Sequence, residues 1–352
     1  ACGVGWSYWV TWVSYVPSEM IAAGIIMNGF FPEIGTIWWA VFFGLIVTIL
    51  NLFRVDKFGE SEFWLSLIKV TALVVFSVVA LFICLGLIGS EGYIGTRILL
   101  GSGGFAPNGY APIVLTMVII LVNFQGTEII GLAAGETADP ARSIPTAVRN
   151  VTWRIIALYI VPITLLISIL PWDHASLSES AFAAALSEHG FTELAALFSL
   201  VVLTAAISCS NSGLYGAART VHALATMDMA PRALDGLNKK GVPSRAICAS
   251  IFFCWGVIAI YAINPNAALY TYLLALSGFS GAVAWISICW SQYRRRRKLE
   301  AEGNVSLLRY RMPLFPYVTL FGIWAQVFCL AFMIFTPELR SALYLGVPML
   351  VV

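Results

Sequence analysis

Charge is what this sequence has least of. Asp, Glu, Lys and Arg together make up 11% of its 352 residues, while 60% are hydrophobic. Soluble domains carry about 25% charged and 45–50% apolar residues. A water-soluble core this apolar would leave too little polar surface to cover itself, so a soluble enzyme is excluded. The net charge of +2 provides no field for a polyanion, so no nucleic-acid partner is expected. Three histidines and seven cysteines without a C-x-x-C pair give no metal-ligand pattern, and the cysteines read as small buried hydrophobes. P-loop, G-x-G-x-x-G, G-x-S-x-G and H-E-x-x-H motifs are all missing. No enzyme activity, metal or organic cofactor is therefore expected. No signal peptide is expected from the residues present, and the chain opens without Met inside the apolar run ACGVGWSYWV and stops inside another, GVPMLVV. The expectation is a piece of a longer chain.

What is present is a series of long apolar runs, and the mean hydropathy is +0.87. Charges, Gly and Pro divide them into ten expected spans: 4–30, 36–53, 61–88, 112–137, 150–170, 192–227, 246–263, 267–291, 314–335 and 340–352. The reading is an all-α polytopic membrane protein whose surroundings are the lipid bilayer. Of the 20 Lys and Arg, Arg97 and Arg340 lie in connections after odd-numbered spans and Lys69 lies inside a span. The remaining 17 flank the even-numbered ones. Lys and Arg are retained on the cytoplasmic side, so both chain ends are expected in the cytoplasm of a multi-pass cell-membrane protein.

Ionisable groups inside spans are the informative residues, because each costs roughly 2.5–3.5 kcal/mol at a helix centre on insertion scales. Lys69 lies nine residues beyond Glu60, about 14 Å into a ~30 Å core. It reads either as one half of a structural pair with a carboxylate or as a titrating amine. Glu128 ends the run Asn123-Phe124-Gln125-Gly126-Thr127-Glu128, where weak helix formers interrupt a span. That is the mark of a discontinuous helix lining a cavity, or of a kink tied to a neighbour. Glu136, near the end of the same span, is an interface residue or a proton-path carboxylate. Ser208, Asn211 and Ser212 are either helix-packing residues or a polar site wall. The same choice, with packing and flexing favoured, applies to Ser277–Gly281. Tyr8 and Trp12, four apart and so on one face, either gate a pocket or belong to an interfacial belt.

The stretch Phe124–Pro145, FQGTEIIGLAAGETADPARSIP, resembles the amino acid permeases of the amino acid–polyamine–organocation superfamily. The likeness continues in AVRNVTWRI, NSGLY, Ala230-Pro231-Arg232, GVP, and FGESEFW through Lys69-Val70. The resemblance implies a LeuT-type fold of two inverted five-helix repeats plus two extra helices. In that frame 1–352 is one permease domain holding ten of twelve helices, with the first two missing. Residues 1–90 would be the remainder of the first repeat, 110–292 the second, and 313–352 the additional helices. By the same likeness Phe124, Gln125, Gly126, Thr127 and Glu128 form the unwound segment at the substrate, and Tyr8 and Trp12 are aromatics beside the pocket. Lys69 stands where proton-coupled members carry a lysine in place of a sodium ion. The implied activity is proton-coupled symport, with the proton as coupling ion, of a basic amino acid (lysine, arginine or ornithine). Neutral or aromatic amino acids, or an amino-acid-sensing role, are the alternatives.

Overall fold

The computed structural model describes residues 2–351 apart from 53–54, 90–91, 102–103, 133–138, 175–179, 240, 266 and 309. Among the described residues all regular structure is helical: α1 (Cys2–Phe30), α2 (Thr36–Leu52), α3 (Val55–Cys84), α4 (Arg97–Leu100), α5 (Ala111–Leu115), α6 (Met117–Val122), α7 (Ile129–Leu132), α8 (Pro140–Ile155), α9 (Val161–Ile169), α10 (Ala181–Glu188), α11 (Thr192–Thr226), α12 (Ser244–Ile263), α13 (Ala267–Ala301), α14 (Tyr317–Phe332) and α15 (Pro337–Val351). Seven of the described helical segments are long and apolar enough to cross a bilayer, with mean hydropathy of 1.3 to 2.7. The 17-residue α2 reaches about 25 Å at 1.5 Å per residue, just short of a ~30 Å core.

The helix ends depart from the apolar runs for local reasons. Apolar sequence continues to 88, yet α3 stops at Cys84. Gly86 turns to φ +70°, and Gly86 N–H and Leu87 N–H donate to Ile83 O and Phe82 O, both at 2.9 Å. This closes the helix with the paired bonds of a Schellman motif. At the other extreme α13 runs ten residues past the apolar stretch that ends at 291. Its polar end is supported by i,i+4 pairs, Arg296–Glu300 at 2.9 Å and Lys298–Glu302 at 3.8 Å. The fifth span likewise begins early, at Pro140, where the Asp139 carboxylate accepts the Arg142 N–H at 3.3 Å and proline suits the first helical position. Pro162 lacks an N–H, so the carbonyl four residues before it has no α-helical donor. The chain widens there into a π turn over Ile156–Ile160, in which Val161 N–H reaches Ile156 O.

The chain forms two compact units. One comprises Ala1–Ser18, Ala111–Arg149 and Gly213–Val352; the other comprises Glu19–Tyr110 and Asn150–Ser212. In the first unit α13 packs against α6, α14 and α15. Close approach depends on small residues: a β-carbon on Gly213 would come within 2.8 Å of the Trp12 ring. Small residues take this role in membranes because lipid supplies no hydrophobic drive between helices. In the second unit Phe76 of α3 is fully buried, 4.8 Å from Phe182 in perpendicular contact and 5.6 Å from Phe198. Ile83, Ala185 and Leu186 are among the buried residues of that core.

Candidate functional site

The fourth apolar run is where the backbone departs most from a lipid-compatible helix. After Val122 the hydrogen bonds shorten to i→i+3: Asn123 to Ile120, Phe124 to Leu121 and Gln125 to Val122, at 3.0–3.1 Å. Gly126 then takes φ +100°, a conformation that only glycine adopts without strain, and helix resumes at Ile129. The expected discontinuous helix is present.

Glu128 closes the break. Both of its carboxylate oxygens accept the Gly126 N–H at 3.1 Å, Oε1 accepts the Tyr8 hydroxyl at 2.9 Å, and Oε2 accepts the Trp285 indole N–H at 3.0 Å. A carboxylate in a low-dielectric site is tolerable only when its acceptor sites are filled, and here three neutral donors fill them. Gln125 fastens the other side of the break. Its amide donates to Ser277 O at 3.1 Å, and its Oε1 lies 3.1 Å from the Ser277 hydroxyl, which also faces Thr11 O at 3.0 Å. Gly281 leaves room for this amide, since a β-carbon there would land on Gln125 Nε2. Thr127 is exposed and Phe124 half-buried.

Beside the break lies a cavity of about 610 Å³, within the ~300–1,000 Å³ range of small-molecule sites. Tyr8, Thr127 and Glu128 place polar groups on its wall, and Leu224, Met227 and Ile288 are among the apolar residues that complete it. Trp12 is fully enclosed. Its ring packs on Gly213 and Gly216 and lies 4.0 Å from where a β-carbon on Gly126 would stand, and its indole nitrogen finds no hydrogen-bond acceptor within reach among the described residues.

The second unit holds a different cluster. The Lys69 ammonium donates to Ser208 Oγ at 2.8 Å, and the Ser208 hydroxyl donates to Glu62 Oε2 at 2.6 Å. Asn211 Nδ2 donates to Glu62 Oε1 at 2.7 Å, and Asn51 Nδ2 donates to Asn211 Oδ1 at 2.7 Å. Lys69, Ser208 and Asn211 thus meet, Ser212 is half-buried beside them on α11, and Glu136 lies outside the described residues. Among the described residues no three His, Cys, Asp or Glu side chains gather as a metal site would need.

Sequence reasoning does not single out Trp285, Glu62 or Asn51. Two were within reach of helical spacing. Glu62 stands seven residues before Lys69, two turns along the same face, and Ser277, Gly281 and Trp285 repeat every four residues. Asn51 carries no such signal.

Seven membrane-length helices, and a further apolar run broken beside a carboxylate-bearing cavity, fit a solute permease embedded in a membrane. The sequence profile of the amino acid permease family matches residues 2–352, and the chain belongs to that family. It is 37% identical to the amino-acid permease RocC of Bacillus subtilis, over 99% of this chain and 75% of that one. It is 36% identical to the gamma-aminobutyric acid permease of the same organism, over 97% and 72%. It is also 37% identical to the lysine-specific permease LysP of Escherichia coli, over 93% and 68%.

Proposed function

We propose that this protein carries an amino acid across the cell membrane by alternating access, in symport with a proton. The observation that carries the reading is the Glu128 carboxylate, held at a broken span on the wall of a cavity large enough for an amino acid. Half-helix ends and a fixed charge are what a zwitterion needs halfway across lipid. Substrate would lie against Phe124–Glu128 and Tyr8, with Trp12 backing the break. Lys69 is the coupling group, because an ammonium and a neutral amine at that depth favour different conformations. Glu136 would belong to the same proton path. Ten of the twelve helices of a LeuT-type fold, both chain ends cytoplasmic, are the architecture that fits this reading, and the 17 Lys and Arg beside the even-numbered spans support the orientation.

The preferred substrate is a basic amino acid. The carboxylate would offset a cationic side chain, and a lysine-specific permease is among the relatives. A neutral substrate is the second reading, favoured by the occupation of both Glu128 oxygens by Tyr8, Trp285 and Gly126, and the gamma-aminobutyric acid permease is a relative as well. Uptake of labelled lysine by the full-length protein in vesicles with an imposed pH gradient, with competition from each of the twenty amino acids, tests both. Uptake that follows sodium and ignores the pH gradient would refute the coupling. Competition by neutral amino acids alone would select the second reading.

A further inference from the structure

On the proton-coupled reading, Lys69 must exchange its proton with something, and the second unit supplies a candidate acceptor. We propose that Glu62 takes the Lys69 proton through the Ser208 hydroxyl, making Glu62 a proton-relay residue of the transport cycle.

The directions of the hydrogen bonds carry this. Lys69 Nζ has only protons to offer, so Ser208 Oγ accepts at 2.8 Å, and the Ser208 hydroxyl hydrogen is then free to point at Glu62 Oε2, 2.6 Å away. Both contacts are of charge-assisted length. Glu62 is oriented by a second chain. Asn51 Nδ2 also faces the Val47 carbonyl at 3.1 Å, which fixes which end of that amide is the donor. Asn211 must therefore turn its Oδ1 to Asn51 and its Nδ2 to Glu62 Oε1, at 2.7 Å each. Helical side chains lean toward the N-terminus of their helix, so Lys69 leans back along α3 toward Glu62, about 10 Å earlier on the axis. The transfer balances. A Lys69 N–H bond breaks as a proton passes to Ser208 Oγ, the original Ser208 proton moves to Glu62 Oε2, and the products are a neutral amine, an intact hydroxyl and a neutral carboxylic acid. An ion pair becomes a neutral pair, which the membrane interior tolerates more readily.

Among the described side chains, the charged and titratable groups around this chain are these. Glu60 shares α3, Cys209 adjoins Ser208 on α11, and the π turn packed on α3 brings Tyr159, whose electrostatic neighbours are Cys209 and Arg154. α2 and α9 contribute no titratable side chain.

The test uses the full-length protein in vesicles and a radiolabelled mixture of the twenty amino acids plus gamma-aminobutyrate as substrate. Accumulation driven by a pH gradient is compared with exchange at equal pH on both sides. Glu62→Gln keeps an acceptor for the Ser208 hydroxyl and cannot hold the proton. Its ratio of driven accumulation to exchange should fall at least about tenfold, the lower range of what a positioned proton-transfer group contributes. Ser208→Ala should give the same fall, and Ser208→Thr and Glu62→Asp should restore part of the ratio. An unchanged ratio in Glu62→Gln, with wild-type accumulation dependent on the pH gradient, overturns the relay and leaves the coupling reading standing. Wild-type accumulation indifferent to the gradient overturns both. Parallel loss of exchange and accumulation in variants that remain monodisperse and fold by circular dichroism would assign Glu62 a structural role and overturn the relay.

Discussion

Each unit of this protein contains a carboxylate that lipid would not tolerate alone, and they are held in opposite ways. Glu128 sits in a broken helix and is satisfied by a backbone N–H, a phenol and an indole, all neutral. Glu62 sits in the unbroken α3 and is satisfied by a hydroxyl and an amide, with an ammonium one hydroxyl away. The first arrangement sets its two oxygens as a fixed landmark on a cavity wall, held by donors that carry no charge. The second faces a cation through one hydroxyl, so on the proposed relay its charges would vanish together when one proton moves. On the proposed function the first would serve the substrate and the second the coupling proton.

The largest separation between the two should come from Glu128→Ala. It leaves the buried Tyr8 hydroxyl and the Trp285 N–H without their acceptor, at about 1–3 kcal/mol each. Uptake should fall about a hundredfold, since roughly 1.4 kcal/mol is a factor of ten, and initial-rate uptake measurements would detect it. Retention of more than a third of wild-type uptake would sink the landmark role. Next is the balance within the second unit. Lys69→Met should destabilise by about 3 kcal/mol because it leaves an uncompensated carboxylate, and adding Glu62→Gln should recover at least about 1 kcal/mol by removing that charge. Detergent-solubilised unfolding would measure this double-mutant cycle, and strict additivity would mean that the two charges are not coupled.

A smaller effect distinguishes the broken helix from ordinary helix. Gly126→Ala forces a side chain into φ +100° and should cost about 1–2 kcal/mol. Gly131→Ala inside α7, where a β-carbon meets open space, should be neutral or stabilise by about 0.5–1 kcal/mol. Melting temperatures of the two variants that move together would deny the break its special geometry. The smallest effect is expected at Asn51→Ala, which removes the bond that orients Asn211 and should cost about 1 kcal/mol while shifting the pH-driven accumulation ratio less than Glu62→Gln does.

Much of this was legible before any coordinates. The run Asn123–Glu128 declares its break because Gly and small polar residues cannot hold a helix in lipid, and Lys69 declares itself by its depth. The donors that Glu128 finds were harder to read. Tyr8 is 120 residues away in sequence and Trp285 is 157 residues away, so no local pattern links them to it. The helix ends at Cys84 and Ala301 were missed because hydropathy ignores a glycine turn and i,i+4 ion pairs alike.

Composition and the spacing of apolar runs alone determined that this chain is helical and built for a membrane, and which span must break; the side its basic loops face follows from them only as an expectation. They suffice because the bilayer penalises every exposed polar group in proportion to its depth, and that penalty is readable residue by residue. Only the tertiary structure decided which partners quiet each buried charge. Hydrogen bonds are short and directional, so whether Glu62 meets a hydroxyl or Glu128 an indole depends on helices packed from distant parts of the chain.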